Sequence, residues 1–161
     1  MTSSNSQSLS VDQASKIKGH RRNARRRSRE LAVQGLYQYF LNPVEVGEID
    51  AHIRDAPGFN KADYAHYQSL LCGSVLGMES LVAQLIPFLD RPWVDLSPVE
   101  KAILILSTHE LNVHLEIPYR VVVNEAVELT KTFGGTDAYR YINGVLDKVA
   151  HQVRHAEIVA R

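Results

Sequence analysis

The sequence predicts an all-α fold of six or seven helices, on three observations. Apolar residues recur at i, i+3, i+4 and i+7 along several segments, the stripe that one face of a helix buries. Helix start and stop signals punctuate those segments, among them Ser97-Pro98-Val99-Glu100, Glu116-Ile117-Pro118 and Gly134-Gly135. No strand pattern competes, because the β-branched run Val121-Val122-Val123 is short and continues directly into a helical period. Short connections favour antiparallel neighbours, and no internal repeat is visible.

Residues 1–20 are rich in Ser, Asn and Gln with scattered apolar side chains, the composition of a disordered tail. A single domain is expected over 21–154 and a C-terminal tail over 155–161. From Ala24 the pattern changes: Val33, Leu36, Tyr37 and Phe40 share one helical face, and Asn42-Pro43 ends the helix. Arg22, Arg25, Arg26 and Arg29 follow the same spacing one or two turns earlier, so a helix extended backwards places them on one face. A short acidic helix is predicted over 46–53, followed by a break at Ala56-Pro57-Gly58. Asn60 is the expected N-cap of the next helix, with Asp63 near its positive end. Tyr64, Tyr67, Leu71, Val75, Met78, Val82 and Leu85 then run with helical period, while Gly73 and Gly77 leave a break into two helices open.

Ser97-Pro98-Val99-Glu100 reads as a capping box with Pro at the first helical position. Behind it Ala102-Ile103-Leu104-Ile105-Leu106 is apolar on nearly every side, which marks a helix buried centrally. Val122, Ala126, Leu129 and Phe133 form another stripe, ended by Gly134-Gly135 in a sequence suited to a left-handed cap. Thr136-Asp137 starts the last helix, whose buried stripe is Ile142, Val145, Leu146, Val149 and Val153.

No apolar run approaches the roughly 20 residues that span a bilayer. The formal net charge of zero is uneven along the chain: residues 1–30 carry eight basic and two acidic side chains, a net of +6, and the other 131 residues carry −6. That asymmetry points to a basic arm with a polyanionic partner. The single Cys72 cannot form an internal disulfide, and Arg and Ser stand where a secretory signal would be hydrophobic, so a reducing cytoplasm is expected. Cys72 itself, in Leu70-Leu71-Cys72-Gly73, reads as a buried structural thiol.

Catalytic signals are missing. His109 and His114 flank Glu110, but five residues separate them by about 140° on a helix, unlike the i, i+4 pair of a zinc site, and they are read as surface histidines. No phosphate-cradling glycine loop or nucleophile elbow occurs. The arginine run differs: guanidinium groups bind phosphate bidentately and stack on bases, so a helical face of arginines suits RNA. Tyr37, Tyr139 and Tyr141 are candidate stacking side chains.

Four blocks of the sequence carry a resemblance. They are residues 25–37 (RRRSRELAVQGLY), 99–104 (VEKAIL), 117–129 (IPYRVVVNEAVEL) and 141–148 (YINGVLDK). Together, across roughly residues 24–153, they closely resemble the NusB family of bacterial transcription antitermination factors. The resemblance implies an all-α fold of about seven helices in two packed subbundles, with no enzymatic activity and no cofactor. It implies pairing with NusE, a ribosomal protein of the small subunit, binding to single-stranded boxA RNA of nascent rRNA transcripts, and recruitment into a termination-resistant RNA polymerase complex. Arg25, Arg26, Arg27 and Arg29 match the family's RNA-contacting element. Tyr37, Asp137 and Tyr141 match its RNA and partner surface, and Glu100 matches a partner-facing glutamate. Structural roles stay open beside these: Glu100 completes the capping box, Asp137 favours its helix N-terminus, and Asn143-Gly144 suits close helix packing. The chain departs from the family at Ile105-Leu106-Ser107 and at His109, where arginine and tyrosine are usual.

Four arginine contacts to single-stranded RNA predict a log-log salt slope of roughly −3, at about −0.7 per phosphate. The competing reading is a protein adaptor whose arm meets an acidic protein surface. Methyltransferases with a similar helical domain are disfavoured, since eight residues after position 153 leave no room for a cofactor-binding fold. A homodimer that masks the arm stays open.

Overall fold

In the computed structural model, which describes residues 10–160, helix α1 (Val11–Leu41) begins well before the arginines. Ser10 Oγ accepts from the Gln13 N–H at 3.2 Å and the Gln13 side chain accepts from the Ser10 N–H at 3.1 Å, a reciprocal cap. Residues 11–20 are therefore helical rather than part of a disordered tail. The expectation for residues 1–9 lies outside the described residues. Most of this first stretch is exposed, so capping and the Asp12–Lys16 pair hold it instead of burial.

Further along, α1 enters the bundle and buries Leu31, Ala32, Val33 and Leu36. Gly35 brings α3 against it: a Cβ there would lie 2.9 Å from Leu71 Cδ1. Helix α2 (Val46–Arg54) inserts Ile49 and Ile53. Gly58, at φ 81°, then turns the chain into a 3₁₀ segment, Phe59–Lys61, that contains Asn60. The N-cap of α3 (Tyr64–Leu76) is consequently Asp63, whose side chain accepts from the His66 N–H at 3.1 Å, and not Asn60. The glycine-weakened segment does break, at Gly77, and α4 (Met78–Leu85) follows.

The predicted central helix is α5 (Pro98–Val113), buried at every position from Ala102 to Leu111 and in contact with α1, α3, α4, α6 and α7. Its capping box forms, with the Glu100 N–H donating to Ser97 Oγ at 3.1 Å. Helices α1, α2 and α3 make one subbundle, α6 (Tyr119–Phe133) and α7 (Ala138–Val153) pair in the other, and α5 joins them. The turn between α6 and α7 differs from expectation. Gly134 is extended rather than left-handed, and the positive φ, 66°, falls on Asp137, whose side chain makes no capping bond to α7. The Gly134 N–H closes α6 on the Thr130 carbonyl at 2.7 Å, so the reversal is deferred to Asp137, a residue type that tolerates this region.

The expected tail from residue 155 is also corrected. His155–Val159 form α8, and Glu157 accepts from the Tyr119 N–H at 3.0 Å, capping α6. The architecture is all-α, with eight helices among the described residues where about seven were expected.

Candidate nucleic-acid interface

The arginine stripe is phased as predicted, but its members face different surroundings. Arg22, Arg25 and Arg29 line a cleft of about 490 Å³ between α1 and the start of α6, with Lys18 and Arg21 on its rim and Ile117, Pro118 and Val121 among its apolar lining. Arg25 is half-buried there, and its Nε makes no hydrogen bond among the described residues. Across the cleft the Glu116 carboxyl is held below the usual range by its own backbone N–H, with His114 and Arg25 adding attraction against the cost of burial.

Arg26 emerges on the α6 side. Its Nε and Nη2 donate to Glu125 Oε2 and Oε1 at 3.1 and 2.9 Å, and its side chain stays 48% exposed. Arg27 turns the opposite way, donates from Nη1 to Glu30 at 3.0 Å and lays its guanidinium against Gly58.

Arg29 corrects the sequence reading. Its side chain is 3% exposed, and Nε donates to both oxygens of Glu110 at 2.9 and 3.1 Å. Glu110 also accepts from His66 Nε2 at 2.6 Å. Burial alone would raise the Glu110 carboxyl; His66 and Arg29 outweigh it and hold it below its ordinary value. With its guanidinium buried and paired to Glu110, Arg29 is not the exposed arginine that the stripe predicts. A signal for part of this exists in the sequence: Arg29 shares the apolar face of Val33, Leu36 and Phe40, and an arginine on a buried face needs a carboxylate.

The other predicted residues gather elsewhere. Tyr37 lies 12 residues beyond Arg25 on α1, about 18 Å along the axis. It lines a separate cleft of about 460 Å³ with Val33, Gln34, Val99 and Phe133. Glu100 follows Val99 and is bonded within its capping box, while Phe133 leads into the turn that carries Asp137. Asp137 is exposed, 3.9 Å from Arg140 Nε. Tyr141 is half-buried, with the Arg91 guanidinium 4.2 Å from its ring centroid, and burial followed by the charge of Asp90 pushes its hydroxyl pKa up. Asn143 and Gly144 are exposed, and a Cβ on Gly144 would meet nothing within 4 Å, so close helix packing is not their role.

His109 and His114 are not surface histidines on a polar face. His109 is buried and His114 half-buried; because α5 ends at Val113, His114 leaves the helical path and both Nε2 atoms reach Ser69 Oγ, at 3.2 and 2.8 Å. Cys72 is half-buried with its thiol pKa raised by burial and by Asp50, in keeping with a structural role. Among the described residues no single helix is long and apolar enough to cross a membrane.

The fold and site define an all-helical protein whose first helix carries an arginine stripe beside an open cleft. Comparison with known proteins gives the family. The family model described as the NusB family matches residues 26–151. The transcription antitermination protein NusB of Ralstonia pickettii is 53% identical over 161 residues, covering 100% of this chain and 99% of that one. That of Cupriavidus pinatubonensis is 59% identical over 140 residues, 87% of this chain and 84% of its own. Among solved structures, NusB of T. maritima matches with a TM-score of 0.71 at 26% identity, over 80% of this chain and 91% of that one. A crystal structure of the antitermination factors NusB and NusE in complex with double-stranded RNA has the same fold, with a TM-score of 0.72 at 23% identity over 81% and 98% of the two chains. The chain belongs to the NusB family, a family of transcription antitermination factors and not of enzymes.

Proposed function

We propose that this chain pairs with NusE and binds the boxA element of nascent rRNA transcripts, joining a termination-resistant RNA polymerase complex in the bacterial cytoplasm. The observation that carries the reading is the pair Arg25 and Arg26, which present guanidinium groups from a helical arm beside an open basic cleft. Arg27 adds a third charge, and the relative crystallised with NusE and RNA supports the choice of partners. The Tyr37, Val99 and Phe133 cleft, with Glu100 beside it, is the proposed seat of NusE, since an apolar floor with a carboxylate rim suits a basic protein. Asp137 and Tyr141, just beyond Phe133 at the same end of α6, continue that proposed surface.

Titration of boxA RNA at several salt concentrations, with and without NusE, tests the reading. With Arg29 in the core, Arg25, Arg26 and Arg27 together account for a log-log salt slope of roughly −2, at about −0.7 per phosphate, in place of −3. Replacing the three by Ala is expected to flatten the slope by that amount and weaken binding; unchanged affinity across the salt series overturns the RNA role. Tyr37→Ala is expected to abolish the affinity that NusE adds while sparing binding by the chain alone. Single-stranded and double-stranded probes, run side by side, show which form the arm prefers.

A further inference from the structure

The arginines of α1 are joined by a chain of alternating charges that runs from the surface to the core. Arg26, on the surface, pairs through two hydrogen bonds with Glu125 of α6. The Glu125 side chain is only 9% exposed, and its Oε2 lies 3.8 Å from Arg29 Nη1 on its inner side. Arg29 is in turn held by Glu110, and Glu110 by His66. Glu125 and Arg29 therefore each sit between two partners of opposite sign, and Glu110 lies between Arg29 and His66.

We propose that Glu125 is a positioning residue for RNA, which fixes Arg26 in the orientation that phosphate meets. The inference rests on the RNA-binding reading above. A guanidinium has five N–H donors, and the bond pattern to Glu125 uses Nε and one of the two on Nη2. Three donors remain, both on Nη1 and one on Nη2, and they stay on the side away from the carboxylate. A free arginine would lose rotamer freedom on meeting phosphate; one already clamped on its Nε edge has lost it in advance. Arg29, fixed from below by Glu110, keeps Glu125 from following Arg26 outward.

The sign of the effect separates this role from plain electrostatics. A carboxylate close to a phosphate site repels it, so a Glu125 with no positioning role should weaken RNA binding, and Glu125→Gln should strengthen it. If Glu125 positions Arg26, the same substitution weakens binding, because glutamine keeps one acceptor oxygen and presents an amide N–H₂ to a donor. We expect Glu125→Gln to weaken binding of a boxA-type single-stranded RNA by about five-fold, within the range for coupled neighbours. Arg26→Lys keeps the charge at an exposed site, where folding is not at stake, and loses the bidentate pair; it is expected to weaken binding comparably. In an Arg26→Ala background Glu125→Gln is expected to have no weakening effect. The experiment is this mutant cycle in the full chain, read by RNA titration with urea unfolding of every variant as the control. Stronger binding by Glu125→Gln overturns the proposal, as does equal weakening with and without Arg26, which would mark a general effect of fold. If Arg26→Ala leaves RNA affinity unchanged, the RNA role of this arginine fails first; if it weakens binding and Glu125→Gln does not, positioning alone fails.

Discussion

Gly73 in the middle of α3 shows how one residue type sets what can pack. By propensity it weakens the helix, and on that ground it marks a place for a break. The break falls at Gly77 instead, and Gly73 stays inside α3, where the His109 ring of α5 occupies the space that a Cβ would fill. Gly73→Ala is expected to cost about 2 kcal/mol, as overpacking does when the neighbour is itself confined. In a His109→Ala background, which empties that space, the same substitution should cost far less. Urea unfolding of the four proteins checks this, and an equal cost in both backgrounds would remove the contact as the cause. Arg29 teaches a similar lesson. Its residue type spoke for RNA, yet its position on the apolar face of α1 spoke for burial, and position prevailed once Glu110 supplied a counter-charge. Helical phase alone does not set Arg29 apart from Arg22, Arg25 and Arg26, which share its face, and Glu125 as the partner of Arg26 was no more readable, being 99 residues away.

At the scale of elements, apolar period and caps made most helices readable: the Ser97 capping box, the all-round apolar face of α5 and the stripes of α6 and α7 lie where the pattern put them. Element ends were less readable because they depend on side chains that arrive from elsewhere. The end of α5 is the clearest case. Arg154 donates from Nε to the Leu111 carbonyl at 2.8 Å, from Nη1 to that of Ile117 at 2.9 Å and from Nη2 to that of His114 at 2.9 Å. These are carbonyls at the end of α5 and in the turn that follows, which a helix end leaves without intrahelical donors. Nη1 also meets Glu157 at 2.6 Å, so the cap of α5 and the cap of α6 share one carboxylate. Nothing in the local sequence around Arg154 announces this, since its acceptors lie about forty residues earlier. Arg154→Ala is expected to cost about 3 kcal/mol, the penalty for leaving buried carbonyls bare, and to loosen the α5 to α6 turn first. Hydrogen exchange confined to that turn, together with a lower urea midpoint, is the expected result; wild-type stability would show that water replaces the arginine.

For the molecule as a whole, the neutral sum hides less separation than the sequence implies. The arm does not stand apart from an acidic body: Glu110 and Glu125 of the body bind Arg29 and Arg26 of the arm, so part of the +6 is neutralised within the fold. The same buried charges make stability depend on pH, and the sign follows from two shifts. His109 lies below its ordinary 6.5, because of burial and then of His114, against the weaker pull of Glu110 and with His66 also opposing its charge. Glu110 lies below its ordinary 4.5 through His66 and Arg29, which overcome burial. For both groups the unfolded chain binds protons at a pH where the folded one does not, so acid favours unfolding. The stabilisation from His109 is complete above about 6.5 and is lost as pH falls through its folded value; that from Glu110 is complete above about 4.5 and is lost further into acid. Urea unfolding from pH 8 to 3 should therefore show a plateau above 6.5, a first decline below it and a second below 4.5. His109→Gln, which cannot take up the proton, should flatten the first decline and leave the second. A free energy that stays constant or rises from pH 7 to pH 5 in the wild-type chain would mean that His109 is protonated as easily in the fold as outside it, and that Ser69 and His114 accommodate its charge.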